Sequence, residues 1–332
     1  MNDSIANAPT VWAISDGGAG NARQALALAL AITPEPRVVS IELRNPWRSF
    51  APRFTAAARL ALSSSQRWQF APPWPDFAVG CGRQAALLTR MLRKWSGGRT
   101  FTVQILDPRI DPSLFDAVVV PQHDALSGAN VLLTTGSLNP IDDTWLADAA
   151  SEFSNLQQLP QPRTAFLVGG PRNGLALDAS WLDEMIERLQ RWLARENGSL
   201  MITVSRRTPP EWTDRLRGAF HNGCAYFWTG ERDGINPYAG YLAYADRIVV
   251  TPDSVNMLSE ACATGKPVYT FAPHPIAGKL AAFHRELRAS GHLRLIDDVV
   301  QKPQPPPLAE TREIAELVRA RWLRHRDTSP RS

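Results

Sequence analysis

The sequence has few cysteines, and their spacing gives no sign of a disulfide framework. Cysteine occurs three times in 332 residues, at Cys81, Cys224 and Cys262. Such a small, odd number of widely separated cysteines differs from the dense, paired cysteines of small secreted domains. The sequence therefore predicts a protein of a reducing compartment.

Long apolar segments are also missing. The longest smooth apolar stretch, ALALALAI at residues 25–32, is far shorter than the roughly 20 residues that a membrane-spanning helix needs. The first residues, MNDSIANAPT, contain neither the basic nor the apolar region of a secretory signal peptide. We therefore predict a cytoplasmic protein, with peripheral attachment to the inner face of the membrane as an open alternative.

Several catalytic signatures are absent from the chain. The glycine turn after TVWAIS does not complete G-x-G-x-x-G, and the chain has no G-x-x-x-x-G-K-[ST], no G-x-S-x-G and no zinc-type spacing of cysteine and histidine. No tyrosine is followed by lysine four residues later, which argues against a nucleotide-sugar epimerase or similar oxidoreductase. Because no two aspartates stand at i and i+2, a metal-chelating D-x-D is also missing, and no metal site is predicted.

Acidic residues are nearly absent from residues 43–106, where Asp76 is the one acid. Ten basic residues in the same span give it a net charge of +9, which leaves −5 for the rest of the +4 chain. Aromatic residues alternate with the arginines, at Trp47, Phe50, Phe54, Trp68, Phe70 and Trp74. Such a segment suits an anionic lipid or a lipid-linked acceptor, although an ordinary arginine-rich surface over core aromatics stays open. No nucleic-acid-binding motif accompanies the charge, so no nucleic-acid partner is expected.

Strand patterns alternate with helix patterns along the chain, as in a parallel sheet with helices on both faces. The predicted strands cover residues 10–15, 37–43, 77–81, 100–106, 115–121, 129–135, 164–170, 199–205, 225–228, 247–251 and 268–271. A polar, proline-containing break at residues 156–163 predicts a domain boundary. We predict two Rossmann-like α/β domains, over residues 1–157 and 163–305, followed by a last helix over 306–326 that could return to the first domain.

Open parallel sheets bind ligands where the carboxyl ends of strands lead into helices. The corresponding loops of this chain are glycine-rich or polar. They are residues 15–21, 80–83 and 121–124 in the first predicted domain and residues 169–174, 205–208, 229–238 and 251–254 in the second. Free backbone amides and the helix dipole favour an anion at such points.

The stretch TPDSVNMLSEACATGKPV, residues 251–268, predicts a turn, a helix and the start of a strand. Asp253 or Ser254 is expected to cap the helix, whose first free amides would bind a phosphate. Glu260 falls on a polar stripe with Asp253 and Thr264, outside the expected core, and could accept hydrogen bonds from ribose hydroxyls. Simple capping by Ser254, with a solvated Glu260, is the alternative.

Two further loops predict contacts with a diphosphate. GGPRNG offers glycines for close backbone approach, and SRRT offers two guanidiniums suited to bidentate phosphate binding. The full set of predicted donor-binding residues is Gly169, Gly170, Asn173, Arg206, Arg207, Asn236, Asp253, Ser254, Glu260 and Lys279.

Seven motifs spread over nearly the whole chain carry a family resemblance. They are SDGGAGNARQALALA, VQILDPR, FDAVVVPQHD, LVGGPRNG, TVSRRTPPEW, VTPDSVNMLSEACATGKPV and FHRELRASGHLR. Together they resemble the family named after the plant mitochondrial-fission factor "elongated mitochondria". The second domain is similar, more distantly, to the nucleotide-sugar-binding half of GT-B glycosyltransferases. That similarity implies a GT-B-like fold, with two Rossmann-like doubly wound domains facing a cleft.

The similarity to GT-B enzymes also implies roles for single residues. Glu260 would bind the nucleotide ribose, and Gly169 and Gly170 would meet the diphosphate. Pro171 stands where that glycine loop usually has serine, so a hydroxyl contact to phosphate is lost. Asn21 stands where the first-domain glycine loop often ends in histidine, and an amide cannot act as a general base. A base must therefore lie elsewhere or be absent.

The leading interpretation is a metal-independent glycosyltransferase that needs no cofactor and uses a nucleotide-diphospho-sugar as donor substrate. The donor would bind the second domain and a lipid-linked or envelope acceptor the first. Asp16 or the His123–Asp124 pair is the candidate base, although Asp16 could cap a helix and His123 could be structural. The alternative is a non-catalytic adaptor of the same fold, which would recruit a partner protein to a membrane.

Overall fold

The structure is a computed structural model that describes residues 8–172, 175–221, 225–298 and 303–328. The described chain divides into two compact units. The first contains residues 8–140 and 310–328, and the second contains residues 141–309 apart from the gaps just given.

The first unit is built on one parallel sheet. Its strands are β1 Val11–Ser15, β2 Arg37–Ser40, β3 Phe77–Cys81, β4 Phe101–Ile105, β5 Ala117–Pro121 and β6 Val131–Thr134. Its first helices are α1 Ala19–Ile32, α2 Trp47–Phe50, α3 Ser64–Arg67 and α4 Arg83–Trp95. Within the described residues the strands pair in the order β2-β1-β3-β4-β5-β6, all parallel. Strands β1, β3, β4 and β5 are buried along their whole length, as expected of parallel strands covered on both faces.

The second unit repeats this architecture. Its helices are α5 Asp143–Glu152, α6 Ala179–Glu196, α7 Pro210–Ala219, α8 Tyr238–Tyr244, α9 Val255–Ala263 and α10 Gly278–Ala289. Its strands are β7 Arg163–Val168, β8 Ser199–Val204, β9 Ala225–Trp228, β10 Arg247–Val250, β11 Val268–Thr270 and β12 Leu293–Leu295. Over the described part of this unit they form one parallel sheet in the order β12-β11-β10-β7-β8-β9. The α/β class with two Rossmann-like sheets, predicted from the sequence, is confirmed.

Two local predictions differ from the structure. Strand β12 was not among the predicted strands, because three residues at a sheet edge are too short to give a periodic pattern. Residues 54–62, FTAAARLAL, have a composition typical of a helix but contain only the 3-10 turn Ala58–Ala61. Ala57, just before that turn, has a left-handed backbone with φ of 47°, which interrupts a regular helix.

The division between the units lies before the predicted proline-containing break. Residues 141–159 belong to the second unit because they pack on α8. Tyr244 Oη donates to the carbonyl of Ala150 at 2.9 Å. Gly240 allows the close contact, since a Cβ at that position would lie 2.5 Å from Cβ of Phe153. A composition break marks exposed chain, but the packing of α5 decides which core it joins.

The last helix, α11 Thr311–Thr328, packs in the first unit against α1. Ile314 and Val318 are buried there, and the rings of Trp322 and Phe77 lie 4.9 Å apart. Glu310 holds the start of this helix, because its carboxylate accepts from the amides of Thr135 at 2.7 Å and Gly136 at 2.9 Å. None of the helices in the described ranges is both long and apolar enough to cross a bilayer.

A buried histidine ties α10 to the loop that follows β10. His284 is 5% exposed, and its Nε2 donates to the carbonyl of Pro252 at 2.8 Å. Burial lowers the pKa of His284 below its ordinary value of 6.5. The hydrogen bond to Pro252 and the charge of Asp253 raise this pKa, and the charge of Arg288 lowers it, but the net shift is downward. The imidazole is therefore neutral in the folded protein at neutral pH.

This burial predicts acid sensitivity of the second unit. At a pH below 6.5 the unfolded chain protonates His284 more readily than the folded chain does, so stability falls as the pH falls through that value. Each unit of pKa depression corresponds to about 1.4 kcal/mol. We expect His284→Gln, which keeps a donor to Pro252, to flatten the pH dependence of the urea midpoint. His274→Gln, at an exposed histidine of the preceding loop, is the control. If the urea midpoint fell equally steeply with falling pH in wild type and in His284→Gln, His284 would not be the cause of the acid sensitivity.

Candidate functional site

Three loops meet at the carboxyl edge of the second sheet, because β10, β7 and β8 are parallel neighbours. Val168 pairs with Val204, and Leu167 pairs with Val250, so all three strands end together. The loops that follow are residues 169–172, 205–208 and 251–254. The sequence predicted phosphate contacts in each of them, and the structure does bring them side by side.

The carboxylate of Asp253 joins these loops. Its Oδ1 accepts from Thr251 Oγ1 at 2.6 Å, and its Oδ2 accepts from Gly170 N at 3.2 Å and from Arg207 Nη2 at 2.6 Å. Arg172 Nη1 donates to the backbone carbonyl of Asp253 at 3.2 Å. Asp253 is 1% exposed, so these bonds pair a charge that burial would otherwise destabilise strongly. Of the two residues expected to cap the helix, Ser254 is the cap and Asp253 is not, since the Asp253 side chain faces the neighbouring loops.

Gly169 and Gly170 permit this close approach. A Cβ at Gly169 would lie 2.2 Å from Asp253 Oδ1, and one at Gly170 would lie 2.2 Å from the carbonyl oxygen of Arg207. The amide of Gly169 donates to Thr251 Oγ1 at 2.8 Å, and that of Gly170 donates to Asp253. The sequence interpretation assigned the glycines to close approach of a phosphate, whereas in the structure their amides bind side chains of the protein.

Helix α9 begins at the same edge with two amides that remain available. Ser254 is its N-cap, and the Ser254 hydroxyl accepts from Met257 N at 3.4 Å. Among the described residues, no acceptor is found for the amides of Val255 and Asn256. Every α-helix leaves such donors in its first turn. An anion at this point would meet both amides and the positive end of the helix dipole.

Glu260 lies in the second turn of α9 and is buried. Only 2% of this residue is exposed, and Thr264 on the same stripe is also buried. The expectation of a stripe outside the core is therefore wrong, because α9 is enclosed by neighbouring elements on its polar side as well. The hydroxyl of Tyr238, the first residue of α8, donates to Glu260 Oε2.

The other predicted donor-binding residues surround this edge less closely. Arg206 is exposed and makes no hydrogen bond or ion pair with any residue the structure describes. Asn236 Oδ1 accepts from Tyr238 N at 3.0 Å and so shapes the turn into α8. Lys279 is exposed in the first turn of α10. Asn173 lies outside the described residues.

Asp16 lies at the carboxyl edge of the first sheet, directly after β1. Its Oδ1 accepts from Gly18 N at 3.3 Å and from Asn21 Nδ2 at 3.1 Å, while Oδ2 accepts from Gln84 Nε2 at 3.4 Å. Helix α1 has Gly18 as its N-cap with no side-chain cap, so Asp16 does not cap it. Burial, and then the charge of Asp16, raise the pKa of the nearby Cys81 thiol, which excludes a thiolate there.

His123 and Asp124 form a half-buried 3-10 turn after β5. Strands β3 and β4 separate β5 from β1, so the pair lies about 14 Å along the sheet edge from Asp16 by strand spacing alone. The structure therefore does not bring the candidate bases together. No cluster of three or more His, Cys, Asp or Glu side chains in the described ranges could hold a metal ion, and metal independence stays a prediction.

The basic, aromatic segment of the first unit divides between two edges of the sheet. Arg83, the first residue of α4, donates to the carbonyls of Arg48, Ser49 and Ala51, which fixes the loop after β2 at the carboxyl edge. Phe50 in that loop is 63% exposed.

The other aromatics of the segment have different environments. Phe54 is 39% exposed near Phe50, and its ring lies 5.9 Å from that of Trp47, whose Nε1 donates to the carbonyl of Ala56. Phe70 is buried in the core. Trp68 is 68% exposed but lines a cavity at the amino ends of the strands, beside Thr10 and Arg37. Trp68 and Phe70 therefore lie away from the exposed Phe50 and Phe54, and Phe70 fits the alternative of core aromatics.

Sequence reasoning missed several residues of the candidate site. Four residues that were not predicted donate hydrogen bonds to predicted site residues. They are Thr251, Tyr238, Gln84 and Arg172. A weak signal existed for Thr251, because a hydroxyl stands directly after a buried strand. No local pattern indicates that Tyr238 meets a glutamate 22 residues later.

Several solved structures share this fold. UDP-GlcNAc 2-epimerase from Methanocaldococcus jannaschii superposes with a TM-score of 0.59 at 11% identity, over 94% of this chain and 100% of that one. The S. aureus MnaA–UDP co-structure gives 0.57 at 11% identity, over 97% and 99%. UDP-GlcNAc 2-epimerase from Neisseria meningitidis bound to UDP-GlcNAc gives 0.52 at 10% identity, over 94% and 99%. At such identities the likeness shows the fold, which is the GT-B-like class predicted from the sequence.

Sequence relatives identify the family. Mitochondrial fission protein ELM1 of Arabidopsis thaliana is 33% identical over 286 residues, which cover 78% of this chain and 66%, just under two thirds, of the plant protein. An uncharacterized protein of Rickettsia prowazekii is 24% identical over 351 aligned positions, covering 93% of this chain and 97% of that protein. The family model described as mitochondrial fission ELM1 matches residues 19–322. The resemblance seen in the sequence motifs is thus confirmed, and the chain belongs to the mitochondrial fission ELM1 family.

Proposed function

We propose that the chain is a glycosyltransferase of the GT-B type that binds a nucleotide-diphospho-sugar on its second unit. One observation carries the proposal: available helix amides, an exposed arginine and a buried carboxylate lie on adjoining loops and helices at one edge of a parallel sheet. The amides and the arginine are groups that bind a diphosphate. The carboxylate is a group that binds ribose hydroxyls. The fold shared with the UDP and UDP-GlcNAc complexes described above supports the choice of ligand class.

The diphosphate would bind at the first turn of α9. The amides of Val255 and Asn256 point out of this turn, and Arg206 supplies an exposed cation from the adjoining loop. Arg207 is already engaged by the buried Asp253. We therefore assign the phosphate contact to Arg206 and a structural role to Arg207, which separates two residues that the sequence treated alike.

The ribose would bind at Glu260. A carboxylate offers two oxygens with about four acceptor positions, so it can accept from Tyr238 and from a ribose hydroxyl together. The ribose would follow the diphosphate along α9, since Glu260 lies between one and two turns inside the helix from the amides of Val255 and Asn256. Lys279 and Asn236 would then border the ligand rather than hold it.

Transfer would require a base on the first unit. The acceptor hydroxyl oxygen attacks the anomeric carbon, the bond from that carbon to the diphosphate oxygen breaks, and the hydroxyl proton passes to the base. Asp16 is the better candidate because its carboxylate is half-buried and oriented by Asn21 and Gln84. The His123–Asp124 pair is the second candidate, at a separate position along the same edge.

The acceptor side suits an anionic lipid or a lipid-linked acceptor. At the carboxyl edge of the first sheet, Phe50 and Phe54 are exposed beside the exposed Arg48 and Arg53. Aromatic rings can enter the interfacial layer of a membrane while arginines bind its headgroups. No spanning helix is needed for such attachment.

A non-catalytic adaptor is the second candidate function. The description of the family as mitochondrial fission favours it, as does Asn21, which occupies the place of a histidine and cannot take a proton. An adaptor would keep the fold and could keep nucleotide binding. It would differ from the enzyme in failing to release nucleoside diphosphate from a bound nucleotide-sugar.

The donor site is tested by thermal unfolding with nucleoside diphosphates and their sugars. A ligand at about 100 times its Kd stabilises the folded state by about 2.7 kcal/mol, which raises the Tm of a domain of this size by roughly 5–10 °C. We expect one base to give such a shift and the others little. The absence of any shift across the panel would contradict nucleotide binding. If a nucleotide-sugar bound but no nucleoside diphosphate was released in the presence of acceptor lipids, the adaptor function would be favoured.

Arg206→Ala and Arg207→Ala are expected to differ. Arg206→Ala should weaken the binding of nucleoside diphosphates by about tenfold or more relative to that of the nucleoside, because a charged hydrogen bond is lost. It should change the free energy of unfolding by no more than about 0.5 kcal/mol. Arg207→Ala should destabilise the fold by about 1–3 kcal/mol, because Asp253 loses its cation. Calorimetric titration and urea unfolding measure the two effects. A large stability loss in Arg206→Ala with unchanged diphosphate affinity would reverse the assignment.

The lipid surface is tested by co-sedimentation with anionic and neutral vesicles at low and high salt. Each arginine near an anionic membrane contributes about 1 kcal/mol, so Arg48→Glu/Arg53→Glu should lower vesicle affinity by about 30-fold or more. The control is Arg37→Glu/Arg99→Glu, with the same charge change beside the amino ends of the same sheet. Binding that ignores lipid charge, or equal loss in both double variants, would argue for a soluble acceptor.

A further inference from the structure

We propose that Tyr238 is the positioning residue of the nucleotide site, which orients the Glu260 carboxylate toward the ribose. The inference rests on the donor site proposed above and deepens it. Tyr238 itself need not touch the nucleotide. It acts through one hydrogen bond, from its hydroxyl to Glu260 Oε2.

The need for such a residue follows from the burial of Glu260. A carboxylate that is 2% exposed must be paired by hydrogen bonds to remain charged inside a protein. A glutamate side chain also has three rotatable bonds, so α9 alone does not fix where its oxygens point. A donor from a neighbouring helix both stabilises the charge and selects one orientation. Tyr238 supplies that donor from α8.

Tyr238 is itself held from both ends of α8. At the start of the helix, Asn236 Oδ1 accepts from the Tyr238 amide at 3.0 Å and closes the turn after the loop at residues 229–236. At the end, Lys266 Nζ donates to the carbonyl of Leu242 at 2.6 Å, and Tyr244 Oη donates to Ala150. The middle of the helix is buried, with Tyr241 in the core. The hydroxyl of Tyr238 is therefore presented by a fixed element.

This arrangement links two loops that the sheet order keeps apart. Strands β9 and β10, which precede α8 and α9, are separated in the sheet by β8 and β7. The Tyr238–Glu260 bond thus joins the loop after β9 to the helix that carries the anion-binding amides. A ribose bound at Glu260 would be read by a carboxylate whose position depends on the first residue of α8. Preorganisation of this kind strengthens binding by reducing the ordering cost.

The test uses Tyr238→Phe and isothermal titration with UDP, ADP, GDP and CDP and with their 2′-deoxy and 3′-deoxy forms. Phenylalanine keeps the ring and removes only the hydroxyl. For the base that wild type prefers, we expect Tyr238→Phe to lower the affinity for the ribonucleotide by roughly 3- to 10-fold, which is the effect of losing about one hydrogen bond. The affinity for the deoxy form that lacks the Glu260 contact should stay unchanged. The preference for ribose over deoxyribose would then shrink, which a merely structural role would not produce.

Two further variants sharpen the result. Tyr244→Phe, in the same helix, removes the bond to Ala150 but no contact with Glu260, and should leave the ribose preference as in wild type. In a Glu260→Ala background, which has no acceptor left for the Tyr238 hydroxyl, Tyr238→Phe should have little additional effect, because residues that act through one contact are not additive.

The outcomes separate the inference from the donor site on which it rests. Suppose that wild type binds UDP or another nucleotide and that Tyr238→Phe keeps the wild-type preference for ribose over deoxyribose. This result would overturn the role of Tyr238 but not the donor site. Equal loss of ribo and deoxy forms in Tyr238→Phe would also overturn it. Failure of wild type to bind any member of the panel would overturn the donor site and this inference together.

Discussion

The carboxyl edge of the second unit's sheet depends on the buried carboxylate of Asp253. A charge with no access to water is tolerated only when hydrogen bonds and a cation surround it. Here the partners come from three different strand ends, namely Thr251, Gly170 and Arg207. The same carboxylate explains why residue 169 is glycine, since any side chain there would collide with it. Three sequence features that look like separate phosphate motifs are thus parts of one structural network.

This network determines which groups are left for a ligand. The amides of Gly169 and Gly170 and the guanidinium of Arg207 are consumed within the protein. What remains at the edge is the first turn of α9, the exposed Arg206 and the carboxylate of Glu260. The amides belong to a fixed helix, and Arg206 is exposed beside them. Preorganised amides with one exposed guanidinium would suit a diphosphate, whose charge must be bound without reorganising the site.

Much of the fold could be predicted from the sequence, and the reason is local. Buried parallel strands are short apolar runs, and β3 and β9 begin and end where the sequence placed them. Loops at the carboxyl ends of strands follow directly from that order. Long-range partners do not, because strand periodicity says nothing about which side chain crosses between loops. The burial of Glu260 and the orientation of Asp253 therefore differed from expectation, although both residues lie in the loop and helix that follow β10, as the sequence placed them.

The same limit applied to the first unit. Trp68 and Phe50 are close in the sequence and share a basic segment, yet they lie at the amino and carboxyl edges of the sheet, respectively. Composition reports the total charge and aromatic content of a segment, but the turns within it decide which edge each side chain reaches. The loop fixed by Arg83 brings exposed phenylalanines to the edge where Asp16 lies.

The location of the proposed donor groups bears on what the family can do. Each unit has its own sheet and its own buried cores, and the groups proposed for donor binding all belong to the second. The proposed donor site therefore uses nothing from Asp16, Asn21 or His123. A member of the family that lost its base could keep the Asp253 network, the α9 amides and Glu260 intact, and with them the ability to bind a nucleotide. An enzyme and a nucleotide-regulated adaptor would then differ only at the carboxyl edge of the first sheet, where the resemblance to GT-B enzymes implies a histidine and this chain has Asn21. The second unit could thus be the same in both, and the orientation of a base in the first unit would distinguish them.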